Sequence, residues 1–110
     1  MSGKQNVCVD FDGVLNTYEG WQGEDELYKP RPGVRRFLDE LSSKYNVVIL
    51  TSRDTEKVTE WLNYHKLNYD KVTNTKVPAV AYIDDRAIKF NGSFPATISK
   101  LNRFKTHWEE

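Results

Sequence analysis

Three short apolar runs stand out along the chain, and each of them ends abruptly in polar residues. They occupy residues 7–11, 47–50 and 79–83, and Asp10 is the single charged residue within them. Runs of this kind, without alternation of polar and apolar side chains, are typical of strands buried on both faces of a parallel sheet. We therefore expect three buried strands, with a weaker extended segment at residues 71–73.

Between the runs, apolar residues recur at helical spacing. Directly after Pro32 and Gly33, four of them stand at positions i, i+3, i+4 and i+7 and predict a helix with one face toward a core. They are Val34, Phe37, Leu38 and Leu41. Asp54 is placed to cap a second helix, and the inner face of that helix would consist of Val58, Trp61 and Leu62. A last helix from about Ala96 onward would turn Ile98, Leu101 and Trp108 to a common face.

The alternation of strands and helices predicts the fold class. Such alternation forms a parallel sheet with helices on both faces, which is a three-layer α/β/α arrangement of Rossmann-like type. With 110 residues, the chain suits a single core, so we expect residues 1–110 to form one domain without a separate cap. Residues 14–32 mix glycine, proline and acidic residues, which predicts a long surface loop with a small turn or hairpin.

The composition indicates the cellular compartment of the protein but does not identify its binding partners. Lys plus Arg and Asp plus Glu both number 16, so no net field favours nucleic acid or an anionic membrane. The single cysteine, Cys8, lies inside the first apolar run, where we expect it to pack like a hydrophobic side chain. The first residues lack the apolar stretch of a signal peptide, and no run reaches the roughly 20 residues that span a bilayer. We expect a protein of the cytoplasm, or of another reducing compartment, without membrane association.

Polar residues of types that can bind phosphate or metal stand at the end of each of the three runs. The pairs are Asp10 with Asp12, Thr51 with Ser52, and Asp84 with Asp85. Ligands of open α/β sheets bind beyond the carboxyl ends of the strands, so we expect these side chains to converge on one crevice. A carboxylate within an apolar strand is costly to bury, and two adjacent acids repel each other. A divalent cation with hard oxygen ligands resolves both conflicts.

Spacing adds detail to two of these pairs. Asp12 lies two residues after Asp10, so the two side chains point to the same face of an extended chain. Gly13 then leaves room for the backbone to approach an anion closely. The hydroxyl of Thr51 and the amides that follow it suit a phosphate oxygen, although a single threonine at such a place more commonly serves as a cap or turn residue.

Four motifs follow one another along the chain. They are Val9-Asp10-Phe11-Asp12-Gly13-Val14-Leu15, Ile49-Leu50-Thr51-Ser52-Arg53, Lys76, and Tyr82-Ile83-Asp84-Asp85-Arg86. In this order they resemble the haloacid dehalogenase (HAD) superfamily of phosphohydrolases, and the resemblance spans residues 7–90. The stretches at residues 29–34 and 84–87 look like those of its small bacterial and phage members. The resemblance implies a HAD-like fold without a cap domain.

The resemblance also implies a catalytic role for the matching residues. Asp10 would be the nucleophile that attacks phosphorus, and Asp12 would protonate the leaving oxygen and then activate water. Thr51 would bind the transferring phosphoryl group together with the amides of Phe11, Asp12 and Ser52. The implied reaction is hydrolysis of a phosphate ester through a phosphoryl-aspartate intermediate.

The resemblance to the HAD superfamily also implies a bound metal ion. Mg²⁺ would be held by the Asp10 carboxylate, the backbone carbonyl of Asp12, and Asp84. Asp85 would act from outside this set or through a water molecule. The ion would offset the repulsion between a carboxylate nucleophile and an anionic phosphate.

Lys76 and Asp12 narrow the activity further. The superfamily has a lysine beside the phosphate, and Lys76 fits better than Lys71 because it directly precedes the turn into the third strong strand. A solvated surface position is the alternative for Lys76. A dehalogenase does not require an acid at the place of Asp12, and ATP-driven pumps carry threonine there, so hydrolysis of phosphate esters remains. Neither connecting segment has room for a cap domain, which predicts an open site.

Substrate recognition would rest on the loop of residues 14–32 and on two arginines. The aromatic residues Tyr18, Trp21 and Tyr28 would either stack on a base or sugar or pack the loop against the fold. Arg53 and Arg86 would either bind a second anionic group or pair with nearby carboxylates. We expect a nucleotide or sugar phosphate as substrate, with a polynucleotide or protein phosphate as alternatives.

Two other functions stay open on the sequence. One is a nucleic-acid end phosphatase, against which the balanced charge counts, because nucleic-acid binding usually relies on a basic surface. The other is a binding or regulatory module that keeps the fold without turnover. The intact set of matching residues counts against it, namely Asp10, Asp12, Thr51, Lys76 and Asp84. Nothing in the sequence predicts the oligomeric state.

Overall fold

A computed structural model describes residues 3–23 and 25–104. Over these ranges the sheet has four strands, all parallel, and we number them in chain order. They are β1 (Asn6–Asp10), β2 (Asn46–Leu50), β3 (Lys71–Thr73) and β4 (Ala81–Ile83). Their order in space is β3-β2-β1-β4. The three predicted strands and the weaker segment at residues 71–73 are confirmed as strands, and the last one begins at Ala81 rather than at residue 79. The expected burial of this last strand is wrong, because Ala81 and Tyr82 are exposed and Ile83 is only partly buried.

Helices flank this sheet. The described ranges contain α1 (Val34–Ser42), α2 (Thr55–Tyr64) and α3 (Phe94–Arg103). The first begins directly after Gly33, whose φ of 88° turns the chain out of the preceding loop. The second begins where the sequence predicts, because the Asp54 carboxylate accepts a hydrogen bond from the amide of Glu56 and so caps the helix.

The main core lies between the central strands and the first two helices. Parallel pairing sets Val9 of β1 beside Ile49 of β2 on one face of the sheet, and Leu38 of α1 and Leu62 of α2 pack onto that face. All four side chains are completely buried. Burying one such side chain stabilises a fold by roughly 1.5–3 kcal/mol, so these contacts hold both helices against the sheet. Cys8 is buried as predicted.

The last helix forms where the sequence predicts, within two residues of the expected start, but its apolar residues are exposed. Every residue of α3 is partly or fully exposed, and Ile98 and Leu101 are exposed to 56% and 57%. The helix forms for a local reason, since the Ser93 hydroxyl caps it by accepting a hydrogen bond from the amide of Ala96. A helical spacing of apolar residues requires a partner surface before it becomes a core, and the three-residue strand β4 offers little. The predicted helix is therefore present, but the face that carries Ile98 and Leu101 does not join the core, and Trp108 lies outside the described residues.

The segment between β1 and α1 is a long loop closed at its base. Asn16 and Pro30 form an antiparallel bridge, and the amide of Thr17 donates to the carbonyl of Lys29 at 2.9 Å. The described part of this loop contains no further domain, so the prediction of a hairpin-like loop without a cap is confirmed. None of the described helices is long and apolar enough to cross a membrane.

Parallel pairing also decides where the polar strand ends lie. Asp10 pairs with Leu50, and Val9 pairs with Ile83. The residues that follow these strands, Thr51 and Asp84, therefore reach the same edge of the sheet as Asp10. This edge holds the candidate site.

Candidate active site

The chain leaves β1 in a sharp turn that carries both predicted catalytic aspartates. Residues Phe11–Leu15 form a short π-type helical turn, which is interrupted by Asp12 in an extended conformation and by Gly13 with a φ of 89°. Glycine adopts such a φ without a steric penalty. Space is equally restricted, because a Cβ on Gly13 would lie 2.2 Å from Oδ2 of Asp85. The turn thus brings the backbone of the first motif against a carboxylate of the last.

Asp10, Asp84 and Asp85 form an acidic cluster at this edge, in which one carboxylate oxygen of each residue lies within 4.8 Å of the others. Burial, followed by the charge of Asp84, raises the pKa of the Asp10 carboxyl from 3.8 to about 7, against the opposing charge of Arg86. Within the described residues, Oδ2 of Asp10 is buried and accepts no hydrogen bond. Such a set of converging oxygens suits a hard divalent cation, so the residues fit Mg²⁺.

Asp12 has different surroundings, because a buried arginine holds it. Nε of Arg53 lies 2.8 Å from Oδ2 and 3.1 Å from Oδ1 of Asp12. The Arg53 side chain is fully buried and that of Asp12 is 14% exposed. The guanidinium carbon also lies 6.0 Å from the ring centroid of Phe11 and 4.9 Å from that of Trp21. Of the two roles left open for Arg53, pairing with a carboxylate is the one that the structure shows.

Two further residues hold the turn, and sequence reasoning missed both. The completely buried side chain of Asn16 donates to Oδ1 of Asp12 and accepts from the amide of Gly13, each at 2.9 Å. Arg31 donates to the carbonyl of Gly13 at 2.8 Å. Asparagine and arginine are ordinary residues of a polar loop, so their identity alone does not distinguish these contacts from exposure to water. The one available signal is that Asn16 directly follows an apolar pair.

The end of β2 carries the predicted phosphate-binding residues. Thr51 is buried, and its hydroxyl accepts a hydrogen bond from the amide of Arg53 at 3.0 Å. A hydroxyl that accepts one hydrogen bond can still donate another. The side-chain amide of Asn74 donates to the carbonyls of Thr51 and Arg53 at 2.7 and 2.9 Å and so holds this turn. Ser52 is exposed beside it, and phosphate binding by both residues stays a prediction.

The two remaining predicted cations lie at different places. Arg86 belongs to the acidic cluster, since its amide donates to Oδ1 of Asp84 at 2.8 Å and its Nε lies 3.9 Å from Oδ1 of Asp85. Nζ of Lys76 lies over the ring of Tyr82, 4.5 Å from its centroid. The role of Lys76 as the phosphate-site lysine stays a prediction.

The three aromatic residues of the loop have two possible roles, which are to pack the loop against the fold and to stack on a base or sugar of the substrate. Tyr18 is buried and packs edge-on against Tyr28, with the ring centroids 5.6 Å apart. The carbonyl of Tyr28 accepts a hydrogen bond from Nε1 of Trp61 at 3.0 Å, which fastens the loop to α2. Trp21 is 58% exposed and lies over Arg53. Two of the three rings therefore pack the loop, and Trp21 remains as the aromatic surface at the site.

Comparison with known proteins supports a phosphatase. Residues 5–107 match the family model described as NLI interacting factor-like phosphatase, a HAD-like phosphatase domain. No curated protein gives a significant match to the chain. A solved structure of a conserved protein from Bacteroides thetaiotaomicron is similar in fold, with a TM-score of 0.62 and 19% identity over 94% of each chain. Because the family match covers almost the whole sequence, the chain belongs to the NLI interacting factor-like phosphatase family.

Proposed function

We propose that the chain is a magnesium-dependent phosphomonoesterase that forms a phosphoryl-aspartate on Asp10, with Asp12 as general acid and base. The observation that carries the proposal is the separation of these two carboxylates at the end of β1. Asp10 belongs to the acidic cluster, whereas Asp12 is turned to Arg53. Carboxylates in different surroundings suit different chemical roles. Membership of a phosphatase family supports phosphoryl transfer as the reaction.

The proposed reaction has two steps. In the first, an oxygen of the ionised Asp10 attacks phosphorus, the bond from phosphorus to the ester oxygen breaks, and protonated Asp12 gives its proton to the departing oxygen. The products are a phosphoryl-aspartate and a free alcohol. In the second, the Asp12 carboxylate takes a proton from water as the water oxygen attacks phosphorus. The bond from phosphorus to Asp10 then breaks and inorganic phosphate leaves.

The residues that would hold Mg²⁺ are Asp10, the backbone carbonyl of Asp12, and Asp84. When bound, this ion offsets the repulsion between the Asp10 carboxylate and the phosphate. Asp85 is a further candidate ligand, since its carboxylate belongs to the same cluster. Arg86 supports the ionised form of Asp10 by lowering its pKa against the effect of burial.

The phosphoryl group would be bound at the turn that follows β2. The Thr51 hydroxyl, the amides of Phe11 and Ser52, and Lys76 are the proposed donors. This turn leads into the N-terminus of α2, where backbone amides favour an anion. The hydrogen bonds from Asn74 hold the turn in shape without the phosphate, which supports a site that is organised before the substrate binds.

We propose a nucleotide or sugar phosphate as the substrate, because the loop presents an aromatic ring at the site. Trp21 is exposed beside the Arg53–Asp12 ion pair, so its ring is available to stack on a base or sugar. Because the described residues form no cap over the site, a polynucleotide or protein phosphate would also reach it.

Phosphate release from a panel of esters tests the proposal. The panel holds nucleotides, sugar phosphates, phosphopeptides, phosphorylated oligonucleotides and an aryl phosphate, each with Mg²⁺ and with chelator. We expect release that requires Mg²⁺, is lost in Asp10→Asn, and persists in the matched control Asp39→Asn, whose carboxylate pairs with Asn68 on the surface. Release that survives in Asp10→Asn would remove Asp10 as the nucleophile. No release from any ester would favour a binding module.

A further inference from the structure

Asn16 uses the full hydrogen-bonding capacity of its side chain inside the protein. Its Oδ1 accepts from the amides of Gly13 and Tyr18, at 2.9 and 3.1 Å. Its Nδ2 donates to Oδ1 of Asp12 and to the carbonyl of Leu27, at 2.9 and 3.0 Å. A side-chain amide offers two hydrogens and two lone pairs, so all four are occupied. The residue is completely buried, where an amide is stable only when it is satisfied in this way.

The four partners come from two different parts of the site. Asp12 and Gly13 belong to the turn after β1, which carries the proposed acid and base. Tyr18 and Leu27 belong to the loop that lies beside the site. Asn16 therefore connects the loop to the Asp12 carboxylate by hydrogen bonds, so a change in the loop would change the orientation of this carboxylate.

Arg53 alone does not orient this carboxylate. Its Nε contacts both oxygens of Asp12 from one side, which leaves rotation and tilt of the carboxylate to be decided by a further donor. Nδ2 of Asn16 supplies that donor to Oδ1. Proton transfer depends steeply on geometry, so a small rotation of Asp12 away from the leaving oxygen would slow catalysis.

We propose that Asn16 is a positioning residue, which holds the Asp12 carboxylate for proton transfer and ties its orientation to the loop. The proposal rests on the proposed role of Asp12 as general acid and base. A purely structural role for Asn16 is the alternative, and it predicts that substitution weakens the whole site rather than proton transfer in particular.

The choice of leaving group separates these roles. Nitrophenolate leaves readily without a proton, so formation of the phosphoryl-enzyme from 4-nitrophenyl phosphate depends little on Asp12. An alkoxide leaves poorly unless it is protonated, so β-glycerophosphate depends strongly on Asp12. Since kcat/KM reports the steps up to the first irreversible one, comparing kcat/KM for the two esters isolates the proton transfer.

The test uses two variants of Asn16 and one control. Asn16→Asp keeps the shape and the acceptor oxygen but replaces the donor to Asp12, and Asn16→Leu removes all four hydrogen bonds at similar volume. Asn102→Asp makes the same charge change at an exposed position of α3. We expect Asn16→Asp to lower kcat/KM for β-glycerophosphate roughly 100-fold and for 4-nitrophenyl phosphate less than about 5-fold, and we expect the same pattern for Asp12→Asn. Equal losses for both esters, or no loss, would overturn the positioning role.

A measurement without turnover keeps this proposal distinct from the proposed function. Amide hydrogen exchange and side-chain amide resonances are recorded by NMR for wild type, Asp12→Asn, Asn16→Leu and Asn102→Asp. We expect Asn16→Leu to accelerate exchange at Gly13 and Tyr18 roughly 10-fold or more, and Asp12→Asn to shift the side-chain amide resonances of Asn16 and accelerate exchange at Tyr18. If wild type hydrolyses no ester of the panel described above, the proposed function fails. If the rate of amide exchange at Tyr18 is the same in Asp12→Asn as in wild type, Asn16 does not connect the loop to the Asp12 carboxylate.

Discussion

Gly13 lies directly against the carboxylate of Asp85, so closely that a Cβ on this glycine would sit 2.2 Å from Oδ2 and 2.6 Å from Cγ. Carbon and oxygen atoms that are not bonded do not approach to such distances. The contact interlocks the first motif of the chain with the last one. It also makes the position of Asp85 depend on the absence of a side chain at residue 13.

Gly13→Ala should therefore damage the site more than the fold. The new methyl group displaces Asp85 from the acidic cluster, and the left-handed backbone adds strain. We expect phosphatase activity to fall roughly 100-fold, measured as kcat/KM with Mg²⁺. Gly33→Ala is the matched control, because Gly33 has a similar φ of 88° and nothing within 4 Å of the added Cβ. Comparable losses of activity in both variants would show that backbone strain, not the contact with Asp85, is responsible.

The ion pair between Arg53 and Asp12 should contribute to stability as well as to catalysis. Arg53→Met leaves a largely buried carboxylate without its cation, and we expect the free energy of unfolding to fall by about 3 kcal/mol. Urea denaturation followed by circular dichroism measures this change. The pair Lys57–Asp25 is similar in length, at 2.7 Å against 2.8 Å, but its side chains are 37% and 95% exposed. Lys57→Met should change stability little, because water and salt screen an exposed pair.

Arg53→Lys tests the geometry of the same pair. Lysine keeps the charge but lacks the planar group that lies over the Trp21 ring and contacts both oxygens of Asp12. Full stability and activity in this variant would show that the charge of Arg53 suffices and that its shape does not matter.

The raised pKa of Asp10 should make the metal-free protein less stable as the pH rises. In the folded state this carboxyl has a pKa of about 7 rather than 3.8, so between these values the native protein binds more protons than the unfolded chain does. The unfolding free energy then falls as the pH rises from about 4 to about 7, and the loss is complete above that window. Asp10→Asn removes the titrating group and this loss.

Thermal unfolding in chelator from pH 5 to pH 8 measures the effect. We expect Asp10→Asn to gain stability over wild type as the pH rises, by about 1–2 kcal/mol at pH 8, since partial exposure of the carboxyl reduces its cost. Mg²⁺ should stabilise wild type and not the variant. A difference between the two proteins that is constant with pH would contradict the burial of an ionised Asp10.

The sheet and its polar edge were predictable because they depend on local patterns. Three apolar runs ending in Asp10, Thr51 and Asp84 required only that parallel strands place their carboxyl ends together, and the structure does so. The cap at Asp54 is equally local, since its partner, the amide of Glu56, is two residues away.

The contacts around Asp12 were not predictable from local patterns: Arg53 is distant from Asp12 in the sequence, and Asn16, although close, is an ordinary loop residue. Arg53 left two roles open, and the pairing with Asp12 follows only from the juxtaposition of β1 and β2. The only signal for Asn16 was its place directly after the apolar pair Val14-Leu15, which is weak because an asparagine in a loop is usually solvated. For the last helix, the sequence predicts the helix itself but not the burial of its apolar residues. Ile98 and Leu101 have helical spacing and form a helix, but whether that face is buried depends on the surface that meets it.

The most direct test of the account is to identify the phosphorylated residue. Asp12→Asn should slow the second step, so mixing this variant with 4-nitrophenyl phosphate and Mg²⁺ should trap the intermediate. Reduction by borohydride followed by peptide mass spectrometry then locates the modified aspartate. We expect modification at Asp10 that depends on Mg²⁺ and is absent from the double variant with Asp10→Asn. Modification at another residue, or steady hydrolysis by Asp12→Asn at the rate of wild type, would contradict it.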